Sequence, residues 1–346
     1  MPSPVLFEPT APSGCVEDET YIMSTLFTPR HLLAASLSIA LGLSFSVAAH
    51  AETQLRIGYQ KSSTLMVLLK QQGTLEKQLA DQGVRVSWHE FASGQPLLEA
   101  LNVGNVDLSA DVADTVPVFA QAAGGKLTYY ASESASPQAQ AILVRQDSPL
   151  KTLTDLKGHT VAVTKAAGAH YLLLAALRAG DLKFTDIQPA YLTIADGRAA
   201  FENRKVDAWV AWEPFLSAAQ QHQPTRVLAG SEGLAAYKRY YLAGTPYAQA
   251  NPAILKTVFD DLAETGKWVK SHPAEAAAIL GPLWGNLDPA VVQQANARRS
   301  YDVQPVTREG LAEQQKIADV FHGLKLVPKP IAVREAQPPA TLLAKE

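Results

Sequence analysis

Leu101-Asn102-Val103-Gly104-Asn105-Val106-Asp107 and, one hundred positions later, Phe201-Glu202-Asn203-Arg204-Lys205-Val206-Asp207 run in parallel through this chain. Each closes a helical pattern, passes through Val-Asp, and enters a strand-like run. The first run leads to Asp114-Thr115-Val116-Pro117, the second to Trp212-Glu213-Pro214. Each is then followed by Phe and an Ala pair: Phe119, Ala122 and Ala123, then Phe215, Ala218 and Ala219. The similarity reaches upstream. Ile57-Gly58-Tyr59 runs into Gln60-Lys61-Ser62-Ser63 and a helix, while Val161-Ala162-Val163-Thr164 runs into Lys165-Ala166-Ala167-Gly168 and an apolar helix over 171–177. Two similarly built α/β units explain this order; the plainer alternative is that any two such units agree this far.

Upstream, 55–59 reads as a strand, and Leu65, Leu68, Leu69, Leu75 and Leu79 recur at helical spacing around an interruption at Gly73. A strand over 84–91, a helix over 96–102, a strand over 106–110 and a helix over 116–123 follow, the last stopped by Gly124-Gly125. Short strands alternating with helices predict parallel sheets covered on both faces. Strand-like 139–144 and 238–243 bracket the second unit, so the chain leaves one unit on one strand and returns on another. The expected fold class is α/β: two lobes hinged by two strands, with a ligand cleft between them. Lobe I takes 52–140 plus 241–346, lobe II 141–240. The helical stretch 252–322 should pack back on lobe I, with Trp268, Trp284 and Phe321 in its core.

The chain has 346 residues, 47% apolar and 18% charged, which excludes a disordered chain. Thirty Lys and Arg against 33 Asp and Glu give a net charge of −3, with no basic excess for nucleic acid. Eight per cent aromatics and 22 prolines suit a globular α/β protein. Cys15 is the sole cysteine, so a disulfide framework, a cysteine zinc site and a cysteine nucleophile are all disfavoured.

The apolar run 32–49, preceded by Arg30 and His31 and followed by Ala49-His50-Ala51, reads as a cleavable secretory signal peptide. Residues 1–51 are thus an upstream segment plus leader, with Met23 as the expected start and cleavage after Ala51. Removing Arg30 and four acids (Glu8, Glu17, Asp18, Glu19) leaves 29 charges of each sign on 295 residues. A neutral, cysteine-free, periplasmic monomer is expected.

In such sheets ligands bind at the carboxyl ends of strands, against helix N-termini, which offer free N–H groups and about half a positive charge. The candidates are therefore loop residues. Gln60, Lys61, Ser62 and Ser63 stand in the first unit; Lys165, Ala167, Gly168 and His170 stand in the second, where small residues let a ligand approach the backbone. The bland reading of Ser62 and Ser63 is helix capping, and Lys61 and Lys165 could simply be solvated. Asp114 and Thr115 end the next strand. Trp212 and Glu213 end its counterpart, and Trp209 is read as core. Asp196 reads as an N-cap, and Arg198 as an anion ligand or the ion-pair partner of Glu213. No catalytic residue, metal or cofactor is expected. His89-Glu90 lacks the second histidine of a zinc-protease helix, and the nucleophile-elbow, phosphate-loop and dinucleotide signatures are missing.

At these loops the chain resembles the aliphatic sulfonate-binding proteins of ABC importers. The resemblance rests on Leu55-Arg56-Ile57-Gly58-Tyr59-Gln60-Lys61-Ser62, Leu98-Glu99-Ala100-Leu101-Asn102-Val103-Gly104 and Val118-Phe119-Ala120-Gln121-Ala122-Ala123-Gly124. It continues through Asp155-Leu156-Lys157-Gly158, Tyr191-Leu192-Thr193, Arg198-Ala199-Ala200-Phe201 and Val206-Asp207-Ala208-Trp209, spanning essentially the whole mature chain. It implies a Venus-flytrap fold of the second periplasmic type, with Gln60, Ser62, Asp114, Thr115 and the Trp212-Glu213 region lining the site. It also implies delivery of a small organosulfonate anion, for sulfur acquisition, to an ABC permease with a cytoplasmic ATPase. The chain departs from the family pattern in a 109–117 loop one residue longer and in fewer hydroxyls at 166–168. Taurine, nitrate and sulfate esters are the alternative ligands. An exported enzyme, a pyrimidine synthase on the same fold and a surface sensory domain are the alternative classes.

Overall fold

The computed structural model describes residues 53–338. The apolar run, the cleavage signal and Met23 lie outside the described residues. No helix among the described residues is long and apolar enough to cross a membrane.

The chain enters on β1 (Thr53–Gln60) and α1 (Thr64–Gln72). Gly73 ends α1 in the left-handed region (φ 64°), its N–H donating to the Leu69 carbonyl, and α2 (Thr74–Ala80) starts at once. This is the interruption read from the leucine spacing, and all five leucines are buried. Each contributes about 2 kcal/mol of burial. Next come β2 (Val84–Phe91), α3 (Gly94–Asn102), β3 (Leu108–Ala113), α4 (Thr115–Ala122) and β4 (Leu127–Glu133). The chain then crosses to a second sheet and forms β5 (Gln140–Arg145), β6 (Thr160–Val163), α5 (Gly168–Ala179), β7 (Gln188–Tyr191), α6 (Ile194–Glu202), β8 (Ala208–Trp212), α7 (Phe215–His222) and β9 (Thr225–Gly230). It returns on β10 (Arg239–Gly244). There follow α8 (Thr245–Ala250), α9 (Pro252–Ser271), α10 (Pro273–Leu283), α11 (Pro289–Arg298), β11 (Val303–Gln304) and α12 (Arg308–Gly323).

The sheets share one topology. The first has the order β2-β1-β3-β10-β4-β11, the second β7-β6-β8-β5-β9. In each, three parallel strands adjoin one antiparallel strand: β10 beside β3, and β5 beside β8. The expectation of purely parallel sheets is corrected here. The strand that arrives from the other sheet enters each sheet head to tail. The predicted repeat has an atomic counterpart. Asp107 donates its N–H to the Arg56 carbonyl (2.8 Å) and accepts the Arg56 N–H (2.8 Å). Asp207 does the same with Thr160, at 2.9 Å in both directions. The Val-Asp steps therefore tie into the first strand of each unit, and β3 proper begins only at Leu108, two residues after the predicted start.

Helix α9 packs on α1 and α2, and Phe321 of α12 is fully buried against Phe119 of α4. Trp268 is half-buried and stacks on His272. Trp284 is also half-buried, its indole N–H donating to the Lys61 carbonyl (2.7 Å). Both pack against the buried core from its rim, in keeping with the expected core role.

Candidate functional site

The facing edges of the two sheets enclose a small cavity with room for about 20 Å³. Each wall comes from a chain turn. From the first sheet, Gln60 ends β1, Ser93 and Gly94 open α3, and Ala113 and Val116 flank the start of α4. From the second, Ala167 and Gly168 open α5 and Trp212 ends β8. Tyr237 and Arg239 come from the crossing into β10. Three helix N-termini converge here, those of α3, α4 and α5. Neither Ser93 nor Ala167 makes a side-chain cap bond, so these ends keep N–H groups to offer.

Glycine is required where α5 meets the first sheet. A Cβ on Gly168 would lie 2.6 Å from the Tyr237 ring and 3.0 Å from the Ala113 methyl. Tyr237 is buried, and its hydroxyl accepts from Arg239 Nη1 (3.0 Å). Arg239 is also buried. Its Nε donates to Asp111 Oδ2 and its Nη2 to the Asp111 carbonyl (3.0 Å). Trp212 meets Phe215 edge to face, a ring held by a ring at the cavity wall. The Gln60 side-chain amide donates to the Asp111 carbonyl (3.3 Å).

The other candidates take various places. Ser62 and Ser63 are buried beside Gln60 at the head of α1, and Ser63 Oγ accepts the Gln60 N–H (3.2 Å). Thr115 is fully buried, its hydroxyl 3.4 Å from Asp114 Oδ1. Asp114 also accepts the Lys238 N–H (3.2 Å), and burial pushes its carboxyl up to about 6. Lys61 is exposed, 3.9 Å from Glu90, and borders a separate hollow with Tyr59 and Lys70. Lys165 is exposed over the Tyr191 ring. His170 is turned inward among Phe184, Tyr191 and Phe321; burial, with Lys165 nearby, lowers it to about 4, so it is neutral at neutral pH. Arg198 pairs with Glu202 one helical turn on (2.6 Å), not with Glu213. Glu213 instead accepts from Arg298 (2.6 Å) and from the Ser217 hydroxyl (2.8 Å), and burial raises its pKa. Asp196 is not the N-cap of α6; Thr193 is, its hydroxyl accepting the Asp196 N–H. Trp209 is core, as expected, beneath Gly197.

Sequence reading missed Ser93, Gly94, Ala113, Val116, Tyr237 and Arg239 of this lining. The first two follow β2 and were open to the same strand-end rule. No group of three or more His, Cys, Asp or Glu among the described residues could hold a metal ion. A wider apolar hollow of about 250 Å³ between α3, α4 and residues 326–328 has no buried charged side chain in its lining.

A family model described as NMT1/THI5 like matches residues 79–276. The chain is 43% identical over 308 residues to a putative aliphatic sulfonates-binding protein of Escherichia coli, covering 88% of this chain and 96% of that one. Two solved structures superpose on it. The periplasmic aliphatic sulphonate binding protein SsuA from Escherichia coli has a TM-score of 0.76 at 44% identity, covering 82% of this chain and 97% of its own. The alkanesulfonate-binding protein SsuA from Xanthomonas axonopodis pv. citri, bound to MOPS, has a TM-score of 0.78 at 39% identity, covering 82% and 98%.

Proposed function

We propose, from the premise that the chain belongs to the NMT1/THI5-like family and to its aliphatic sulfonate-binding branch, that it is the periplasmic binding component of an ABC importer for organosulfonates. It captures its ligand and does no chemistry on it. The two sheets are the cores of two lobes, the first built from 53–133 and 239–338, the second from 140–230. The crossings before β5 and β10 form the hinge. The ligand passes to a membrane permease powered by a cytoplasmic ATPase, and the leader that directs export is removed after Ala51.

One observation carries this reading: uncapped N-termini from both sheets meet at one cavity walled by Gln60, Gly168, Trp212 and a guanidinium. A sulfonate stays ionised at every relevant pH, so it needs N–H donors and no base. Oriented N–H groups and neutral amides hold it without a full countercharge that would slow release. The Trp212 and Tyr237 rings offer apolar surface to the alkyl tail. Gln60, Ala167, Gly168 and Trp212 touch the ligand, and Ser62, Ser63, Asp114 and Thr115 support the turns that present them.

Thermal unfolding of the purified protein with ethanesulfonate, taurine, nitrate or sulfate, in Tris because MOPS is itself an alkylsulfonate, tests the reading. Ethanesulfonate at ~100 times its Kd should add about 2.7 kcal/mol of apparent stability. Stabilisation by nitrate alone would sink the organosulfonate assignment.

A further inference from the structure

Behind the cavity wall lies a cluster of four buried charges. Arg239 binds Asp111 through Nε and Nη2. Arg299 Nη2 bridges the same Asp111 Oδ2 (3.2 Å) and Glu133 Oε2 (2.6 Å). The Tyr241 hydroxyl donates to the other Glu133 oxygen (2.7 Å). All four side chains are at most 4% exposed. Two guanidinium groups against two carboxylates make the cluster neutral. Of the five N–H donors of Arg239, three are used within the protein, by Asp111 twice and by Tyr237 once. One each on Nη1 and Nη2 is unspent, and Arg239 lines the cavity.

A guanidinium with two spare donors fits two oxygens of a tetrahedral anion. Its positive charge is already answered by Asp111. Asp114, close enough for Arg239 to act on its ionisation, adds further negative charge when ionised. The cavity therefore offers directed donors with little net positive field. That combination favours a weakly hydrated single charge; a dianion must shed far more hydration and needs net positive charge to offset the loss.

Resting on the organosulfonate reading, we propose that Arg239 holds the anionic headgroup. Asp111, backed by Arg299 and Glu133, is its positioning residue: it fixes the guanidinium plane, cancels its charge, and makes the site select singly charged sulfonates over doubly charged oxyanions.

Titration calorimetry with ethanesulfonate and with sulfate tests this in the purified protein and its variants. Arg239→Gln should lose roughly a hundredfold in ethanesulfonate affinity and Arg239→Lys, which keeps the charge but not the fork, about tenfold. Asp111→Asn and Glu133→Gln each leave the cluster with one net positive charge. Each should raise the sulfate-to-ethanesulfonate affinity ratio by about fivefold or more, an effect that mere loosening of the fold would not produce. A crystal structure of the unaltered protein with ethanesulfonate should place sulfonate oxygens within hydrogen-bond distance of Arg239 Nη1 and Nη2, a readout that does not depend on any variant folding. Affinity within twofold of the parent in Arg239→Gln, an unchanged ratio in both carboxamide variants, or a sulfonate seated away from Arg239 would overturn the proposal and leave the organosulfonate reading standing. An unaltered protein that binds no sulfonate would overturn both.

Discussion

The turn after β3 and the turn after β8 occupy equivalent places in two sheets of the same topology, yet they handle a buried acid differently. Asp114 rests on a backbone N–H and a neighbouring hydroxyl, with Arg239 acting from further off. Glu213 rests on the guanidinium of Arg298, delivered by α11 from the first sheet's side, and on Ser217. The first acid is held by dipoles and the second by a direct charge. A shared backbone plan therefore does not dictate shared electrostatics: the element that packs against each turn decides them. The Arg298–Glu213 pair also ties a helix of the C-terminal layer to the second sheet; at Asp114 the matching tie is neutral, the Gln314 amide of α12 donating to the Asp114 carbonyl.

That difference can be broken most forcefully at Arg298. Arg298→Met strands Glu213 in the interior and should lower unfolding free energy by about 3 kcal/mol in urea titrations. An unchanged midpoint would mean that Ser217 alone supports Glu213. Next in size is the pH response of Asp114. Its folded-state pKa of about 6 lies above the ordinary 3.8, so the native state binds the extra proton between those values. Stability from this group is present at low pH and is lost as pH rises from about 4 through 6, by roughly 2–3 kcal/mol. Asp114→Asn should flatten that part of the stability–pH curve. A curve that kept its full slope would remove Asp114 from the account. Smaller again is Gly168→Ala. The added methyl meets the buried Tyr237 ring and should cost about 1–2 kcal/mol of unfolding free energy, read as a lower urea midpoint; an unchanged midpoint would mean that the ring gives way without cost. The smallest effect separates the paired aspartates. Asp107 holds the Arg56 guanidinium through two bonds of 2.6 and 3.0 Å, whereas Asp207 has half-exposed His159 at 3.1 Å. Asp107→Ala should therefore destabilise more than Asp207→Ala, by about 1 kcal/mol. Equal losses would show that only the backbone bonds matter.

Much of this architecture was legible in the residues. The Val-Asp steps, the small residues at 166–168 and the strand ends at Gln60 and Trp212 all carry a local signal. What stayed hidden has a geometric cause. The rule that ligands gather at carboxyl ends assumes parallel strands, and β10 runs the other way. Its amino end, Arg239, pairs with Ala113 and so reaches the same edge from the opposite direction. Tyr237 arrives with it. Arg198 and His170 were misplaced for a different reason. A helix position within reach of a loop has several faces, and sequence spacing alone did not show that Glu202 would claim one and the ring cluster of Phe184, Tyr191 and Phe321 the other.

The contact of Gly168 with Tyr237 has a consequence for anyone wishing to retune this protein toward bulkier cargo. One side of the chamber is bare backbone, which cannot be trimmed further. Room has to come from the side chains opposite, and shortening Tyr237 removes one of the three contacts that hold Arg239. Trp212 can be cut back without disturbing a charged group, at the loss of its edge-to-face contact with Phe215.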